Sequence, residues 1–174
     1  MSEILIRRVL NSECEMLLEI SQKTFVDTFA SVNTPENMAK YLAEALSKEK
    51  LQAELNDSNS EFYFASADGK IIGYLKVNSG SAQTDIKTDT ALEIERIYVL
   101  KEYHGKNIGQ LLYEKAISLA KEKGVSFVWL GVWEENPRAI AFYKKNGFIE
   151  FDKHVFKLGD DEQTDIMMKL VLPR

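Results

Sequence analysis

Two carboxylates and a short glycine-bearing loop stand close together in the sequence and could take part in chemistry. Glu93 and Glu95 lie two residues apart in a strand-like stretch, a spacing that places both on one face. The loop 104–110 follows and opens a helix predicted over residues 111–123. The first backbone N–H groups of a helix lack partners and carry partial positive charge, so such a loop binds anions. The order strand, loop, helix therefore predicts a phosphate-bearing cofactor across the end of the strand.

This loop differs from two other phosphate-binding patterns. The G-x-G-x-x-G spacing of dinucleotide-binding folds is absent, and so is the Gly-Lys-Ser/Thr of a P-loop. The loop instead resembles motif A of the GNAT N-acetyltransferases, Arg/Gln-x-x-Gly-x-Gly/Ala, which holds the pyrophosphate of acetyl-CoA. His104 stands where the motif has Arg or Gln, and Asn107 replaces its first glycine. Because asparagine tolerates positive φ better than other non-glycine residues, we expect the loop to keep its shape.

A second stretch, residues 136–148, resembles motif B of the same family. Its sequence NPRAIAFYKKNGF matches Asn-x-x-Ala-x-x-Phe-Tyr-x-x-x-Gly-Phe at full spacing. The two motifs occur in the family's order, and the resemblance covers nearly the whole chain. The stretches LEIERIYV, WLGVWEENPRAIAFYKKNGF, GDDEQTDIMMK and TFVDTF…NTPENM…YL narrow it to the PaiA-type spermidine/spermine N-acetyltransferases.

The resemblance implies transfer of the acetyl group of acetyl-CoA to a primary amine of a polyamine. An alkyl amine has a pKa of about 10.4, so a base that acts directly or through water is useful at neutral pH. Glu95 occupies the family's position for that base, with Glu93 or water as alternatives, although Glu95 could instead face solvent or pair with Arg96. Tyr143 matches the general acid that protonates the coenzyme A thiolate. Its other interpretation is a half-buried tyrosine that anchors a helix.

The resemblance also implies binding residues. Backbone groups of Ile97, Tyr98 and Val99 would hold the pantetheine arm like an added strand and polarise the thioester carbonyl. The cofactor loop comprises His104, Gly105, Lys106, Asn107, Ile108, Gly109 and Gln110, of which residues 105–110 would cradle the pyrophosphate. Asn136 would bond the pantetheine unless it serves only as a helix N-cap, and Lys145 would reach phosphate unless it faces solvent. The acceptor pocket would be shaped by Phe25, Thr28, Phe29 and Tyr41, although such residues are more often core. Glu93 is a further candidate for contact with the acceptor.

Composition argues against several other classes of protein. The 174 residues fit a single domain spanning 1–174. With 22 basic and 27 acidic residues the net charge is −5, whereas a nucleic-acid surface needs a clustered basic face. Cys14 is the only cysteine and the two histidines are far apart, so neither a disulfide nor a metal site is expected. No stretch has the roughly 20 apolar residues of a membrane span, and no signal-peptide core is present, so we expect a cytoplasmic protein. The sequence does not decide whether the protein forms a homodimer.

The elements that must position these residues follow from periodicity and from cap and turn signals. We predict strands over 4–9, 61–67, 70–77, 91–100, 126–133, 148–158 and 165–172. A capping box at Ser12 and Glu15 opens the first helix, Thr34 and Pro35 open a second that runs toward Leu55, and helices over 111–123 and 137–145 follow. Asp68-Gly69 predicts a hairpin, and residues 159–162 an acidic turn. The fold class is α/β (α+β): a mixed, mostly antiparallel sheet with a central parallel βαβ unit and helices on both faces.

Two alternatives remain for function. The same chemistry could act on a protein N-terminus, a lysine or a small antibiotic amine. The chain could also be a catalytically idle regulator that binds acyl-CoA, an alternative supported only by the departures at His104 and Asn107.

Overall fold

The structure is a computed structural model that describes residues 3–158 and 160–173. The strands are β1 Ile4–Arg8, β2 Ser60–Ala67, β3 Lys70–Ser79, β4 Ala91–Val99, β5 Phe127–Trp133, β6 Ile149–Leu158 and β7 Asp161–Val171. The α-helices are α1 Cys14–Phe29, α2 Pro35–Ala45, α3 Lys48–Asn56, α4 Ile108–Lys123 and α5 Pro137–Lys145. None of the helices in this part of the chain is long and apolar enough to cross a lipid bilayer.

The strands form one seven-stranded sheet in the order β1-β2-β3-β4-β5-β7-β6. Neighbouring strands are antiparallel except β4 and β5, which are parallel and are joined through α4. This confirms the predicted mixed sheet with a central parallel βαβ unit. Within the described residues, β4 and β5 pair at three positions, which are Ala91↔Phe127, Leu92↔Val128 and Glu93↔Trp129. Beyond Glu93 and Trp129 the two strands separate and leave a notch in the middle of the sheet.

Helices cover both faces of the sheet. Phe62 and Tyr63 are consecutive in β2, so their side chains point to opposite faces. The Lys115 side chain of α4 lies over the Tyr63 ring at 5.0 Å. On the other face, Lys76 of β3 lies 5.5 Å over the Phe62 ring and pairs with Glu54 of α3. Thus α4 packs on one face and α3, together with the α1 that contacts it, packs on the other.

Local signals predicted several element ends correctly. Asp68 and Gly69 both have positive φ, at 52° and 78°, in the turn between β2 and β3. Thr34 caps α2, its side chain accepting a hydrogen bond from the Asn37 N–H at 3.1 Å. Gly124 ends α4 in the left-handed region with φ 69°. These positions depend on neighbouring residues alone, which explains why the sequence predicts them.

Other predicted boundaries were wrong. The second helix does not run unbroken toward Leu55, because it ends at Ala45 and Ser47 caps a separate α3. Leu46, between them, is buried in the core. The predicted capping box at Ser12 is displaced, since the Glu13 carboxylate accepts the Leu10 N–H at 2.9 Å and a 3-10 turn precedes α1. In addition, β3 extends through Ser79 into the predicted loop, and β7 begins at Asp161 within the predicted acidic turn. Gly159 of that turn lies outside the described residues.

Candidate active site

Two cavities meet where the notch opens between β4 and β5. The larger cavity, about 780 Å³, is lined by residues 97–99 of β4, by the loop before α4 and by α5. The smaller cavity, about 240 Å³, lies on the α1–α3 side and is lined by acidic and aromatic side chains. Tyr98 and Trp133 line both cavities, so the two spaces adjoin at these residues.

The loop before α4 has the conformation that an anion site requires. Gly105 has φ +80° and Asn107 has φ +67°, so the asparagine that replaces the motif glycine does adopt the left-handed region. Asn107 is also the N-cap of α4, and its side chain does not cap the helix. The first N–H groups of α4 are therefore left for a ligand. A Cβ added at Gly105 or Gly109 would meet no atom within 4 Å, so there is open space beside the loop.

His104 connects this loop to the opposite side of the larger cavity. Its Nε2 lies 2.8 Å from the Val99 carbonyl oxygen, and its Nδ1 lies 3.1 Å from Nη1 of Arg138 on α5. A carbonyl only accepts and a guanidinium only donates, so Nε2 carries the hydrogen and Nδ1 accepts from Arg138. His104 therefore fills the Arg/Gln position of the motif with a group that links β4 to α5. Sequence reasoning missed Arg138, because the bond spans separate motifs.

Some of the remaining predicted cofactor residues line the larger cavity, and others do not. Tyr143 of α5 is 8% exposed and lines the larger cavity together with Ile97 and Gln110. Burial raises the pKa of Tyr143 above its ordinary value, so the phenol stays protonated at neutral pH. Asn136 also lines this cavity, and its side chain accepts the Ala139 N–H at 3.1 Å as the N-cap of α5. Lys106 and Lys145 are exposed and do not line the larger cavity in the part of the chain that is described.

Aromatic side chains from the first two helices line the smaller cavity. Phe25 of α1 stacks on Tyr41 of α2 with ring centroids 4.3 Å apart. Phe29 packs against Trp133 at 4.8 Å. Phe25, Phe29 and Tyr41, three of the four helix residues predicted for the acceptor pocket, therefore lie together in this cavity. Thr28, the fourth, lines the larger cavity instead.

A β-bulge brings both candidate carboxylates and a cation to the smaller cavity. Lys76 of β3 pairs with Arg96 and the next residue of β3 pairs with Ile94, so Glu95 is an extra residue in β4. Strict alternation would place Glu95 and Arg96 on opposite faces, but both line the smaller cavity together with Glu93. The alternation of residues in a strand correctly predicted that the two glutamates share a face. It did not predict that Arg96 lies beside them, because nothing in the sequence marks the bulge.

Glu95 is held by two cations. Its carboxylate lies 2.6 Å from Lys76 Nζ and 3.1 Å from Arg96 Nη2. The same two cations bind Glu54 of α3, at 2.8 and 3.3 Å. Although burial opposes the charge, Arg96 and Lys76 lower the pKa of Glu95 to about 2. Glu95 is therefore fully charged at neutral pH and is one member of a four-residue ion cluster.

Glu93 has a different environment. It accepts hydrogen bonds from Asn78 Nδ2 at 2.9 Å and from the Thr84 N–H and Oγ1 at 2.8 and 2.6 Å. Burial is the largest influence and raises its pKa above the ordinary value. The two glutamates thus differ in basicity, and Glu93 is the more basic of the two.

The smaller cavity also contains carboxylates that sequence reasoning did not single out. Asp165 of β7 and Asp85 line it along with Glu93 and Glu95, whereas Arg96 is the only Arg or Lys among the lining residues of the described chain. Burial raises the pKa of Asp165 to about 6, an effect that His154 partly offsets. Asp165 lies in the stretch GDDEQTDIMMK, which in the sequence indicates only a resemblance to the PaiA-type N-acetyltransferases. This cavity therefore suits a cation, and no cluster of metal-binding side chains occurs in the described chain.

Comparison with known proteins identifies the family. Residues 15–148 match the Acetyltransferase (GNAT) family, so the chain belongs to it. It is 41% identical over 172 residues to an uncharacterized N-acetyltransferase of Lactobacillus delbrueckii subsp. lactis, which covers 99% of each chain. It is 31% identical over 170 residues to the spermidine N(1)-acetyltransferase of Thermoplasma acidophilum, which covers 94% of each.

A solved structure has the same fold. The PaiA N-acetyltransferase from Thermoplasma acidophilum in complex with coenzyme A superposes with a TM-score of 0.80 at 28% identity, covering 98% of this chain and 99% of that one. The GNAT fold predicted from motifs A and B is thereby confirmed. Family membership and this coenzyme A complex support N-acetyltransferase chemistry with acetyl-CoA as the donor.

Proposed function

We propose that the protein transfers the acetyl group of acetyl-CoA to a primary amine of a polyamine such as spermidine or spermine. The observation that carries this proposal is the smaller cavity, which is acidic, has aromatic walls and adjoins the larger cavity at Tyr98 and Trp133. A polyamine is a chain of methylene groups between ammonium groups, so it needs carboxylates and apolar contact in one narrow space. The similarity to a spermidine N(1)-acetyltransferase supports the same acceptor class.

The larger cavity is suited to acetyl-CoA. The uncapped N-terminus of α4 and the open space at Gly105 and Gly109 fit a pyrophosphate, which needs N–H donors and close approach of the backbone. Residues 97–99 line the cavity where β4 has left its partner β5. Apart from the Val99 carbonyl oxygen, which already accepts from His104, the backbone groups on this side of β4 could bind the pantetheine amides. The thioester would then lie near Tyr98 and Trp133, where the acceptor cavity begins.

In the proposed reaction the amine nitrogen attacks the thioester carbonyl carbon and the carbon–sulfur bond breaks. The amine loses one proton and the departing thiolate gains one. Tyr143 would donate to the sulfur, since it lines the larger cavity and its hydroxyl stays protonated. Glu95 would accept the amine proton through a water. Its low pKa, about 2, makes it a weak base.

The first test is coenzyme A release with spermidine, spermine, a lysine peptide and an aminoglycoside, each as the only acceptor. We expect turnover with the two polyamines and little with the other acceptors. Turnover confined to the peptide or the aminoglycoside would keep the acetyltransferase and reject the polyamine. Tight acetyl-CoA binding without turnover of any acceptor would favour the regulator.

The assignment of the base is tested by comparing Glu95→Gln with Glu93→Gln. If Glu95 acts through water, Glu95→Gln should lower kcat/KM about 10²-fold at every pH between 6 and 9, the low end for acid–base catalysis. The shape of the profile should stay the same, because a group with a pKa of about 2 does not titrate in this range. The pH dependence of kcat/KM is the measurement.

Glu93→Gln is the matched control, since it removes a neighbouring carboxylate of the same cavity. We expect kcat/KM of this variant to decrease toward low pH in the same way as that of the unaltered protein. If Glu93→Gln abolishes this decrease while Glu95→Gln changes kcat/KM little, the base is Glu93 and not Glu95.

A further inference from the structure

The carboxylates of the smaller cavity are not equally available to a ligand. Glu95 is already bound by Lys76 and Arg96, the two cations it shares with Glu54. Glu93 accepts three hydrogen bonds from neighbouring residues. A carboxylate whose lone pairs are used in this way has little capacity left for an incoming ammonium group.

Asp85 and Asp165 are the other two carboxylates that line this cavity. The Asp85 side chain is 48% exposed and lies 3.6 Å from His154 Nδ1. An ion pair at such an exposed site contributes little to binding. Asp85 therefore stands at the rim of the cavity and not inside it.

Asp165 is the carboxylate that stands ready for a ligand. It accepts no hydrogen bond and forms no ion pair with any residue in the ranges 3–158 and 160–173. It is level with Trp133 in the β5–β7 ladder and is the cross-strand partner of His154 on β6. With a pKa of about 6 it is mostly ionised at neutral pH, so its charge lies in a partly buried space where the His154 imidazole is its electrostatic neighbour.

Gly131 of β5 leaves space for the Asp165 carboxylate because it has no side chain. A Cβ built on Gly131 would lie 3.1 Å from Asp165 Oδ2, closer than an ordinary van der Waals contact. The residue type at position 131 and the position of the Asp165 side chain are thus linked. A Cβ at this position would make the carboxylate shift by a few tenths of an ångström.

We propose that Asp165 binds a second, non-reacting ammonium group of the acceptor while the reacting amine lies near Tyr98 and Trp133. This inference rests on the proposed polyamine function and assigns one residue to acceptor selection. An ammonium group would supply the charge-assisted hydrogen bonds that Asp165 lacks within the described chain. The stacked rings of Phe25 and Tyr41 would contact the methylene groups between the two nitrogens.

The test uses two acceptors that differ in one ammonium group, 1,4-diaminobutane and 1-aminobutane. For the unaltered protein we expect a KM for the monoamine at least about tenfold higher, since a hydrogen bond to a charged group contributes roughly this factor or more. Asp165→Asn keeps the shape of the side chain and removes its charge. The ratio of the two KM values should then fall about tenfold, toward one, through a higher KM for the diamine.

Two further variants make the result specific. Gly131→Ala should lower the same ratio by a smaller factor without removing any charge, because its Cβ would make the Asp165 carboxylate shift by a few tenths of an ångström. Asp152→Asn removes an exposed carboxylate of β6 that does not line either cavity in the described chain, and it should leave the ratio unchanged. The folded state of each variant is checked by thermal unfolding.

The outcomes separate this inference from the proposed function. If Asp165→Asn keeps the preference for the diamine, or raises both KM values equally, Asp165 does not bind the second ammonium group while the polyamine function stands. If the unaltered protein shows no turnover with spermidine, spermine or 1,4-diaminobutane, the proposed function itself fails, and the role of Asp165 fails with it.

Discussion

Tyr143→Phe should lower kcat with spermidine by about 10²- to 10³-fold, the usual contribution of a general acid. The substitution removes only the hydroxyl of a residue that lines the larger cavity. The ring keeps its packing, with centroids 5.2 Å from Phe142 and 5.6 Å from Phe148. Burial raises the Tyr143 pKa, so the phenol is protonated and can donate to the sulfur as negative charge develops there. Binding of acetyl-CoA, measured by titration calorimetry, should not weaken.

Tyr113→Phe is the matched control for this prediction. Tyr113 of α4 is also buried and packs edge-on against Phe142 and Phe148, but it is not among the described residues that line either cavity. Its variant should turn over at nearly the normal rate. Normal turnover by Tyr143→Phe would remove Tyr143 as the acid. Equal losses in the two variants would indicate a packing effect.

Lys76→Met should destabilise the fold by about 3–5 kcal/mol, the usual effect of removing one partner of a buried ion pair. The Lys76 side chain is 5% exposed and lies between the carboxylates of Glu54 and Glu95. Without it, two carboxylates in a partly buried site would share Arg96 alone. This loss is a large part of the roughly 5–15 kcal/mol that holds a domain folded. Urea unfolding followed by circular dichroism measures it.

The control is Lys48→Met, which removes an exposed lysine that lies 3.0 Å from Glu15. Because solvent screens this pair, its urea midpoint should stay close to that of the unaltered protein. A midpoint for Lys76→Met as high as that of Lys48→Met would mean that the ion cluster does not stabilise the fold. The same experiment tests whether α3, which carries Glu54, is held to the sheet through this cluster.

The features that the sequence predicted correctly are local in origin. The left-handed conformation of Asn107 follows from the tolerance of asparagine for positive φ, and the turn at Asp68-Gly69 follows from the same chemistry. The continuous apolar run 126–133 predicted a central strand, and β5 is paired by β4 on one edge and by β7 on the other. Such properties involve a few consecutive residues, so they can be interpreted without knowing the rest of the fold.

The features that were missed depend on residues far apart in the chain. The cluster of Glu54, Lys76, Glu95 and Arg96 joins α3 to β3 and β4, and it requires the bulge at Glu95. Asp165 reaches the smaller cavity because β7 pairs with β5, a contact that sequence periodicity does not specify. The break at Leu46 has a signal that was overlooked, since Ser47 followed by a charged turn is typical of a helix N-terminus.

The short parallel ladder between β4 and β5 also bears on how the molecule holds together. Among the residues that the structure describes, three residue pairs join the four-stranded part of the sheet, β1 to β4, to the three-stranded part, β5 to β7. A ligand bound between β4 and β5 would contact both parts of the sheet. At a concentration one hundred times its dissociation constant, such a ligand would stabilise the folded chain by about 2.7 kcal/mol. If acetyl-CoA is that ligand, its concentration would also determine the apparent stability of the folded protein.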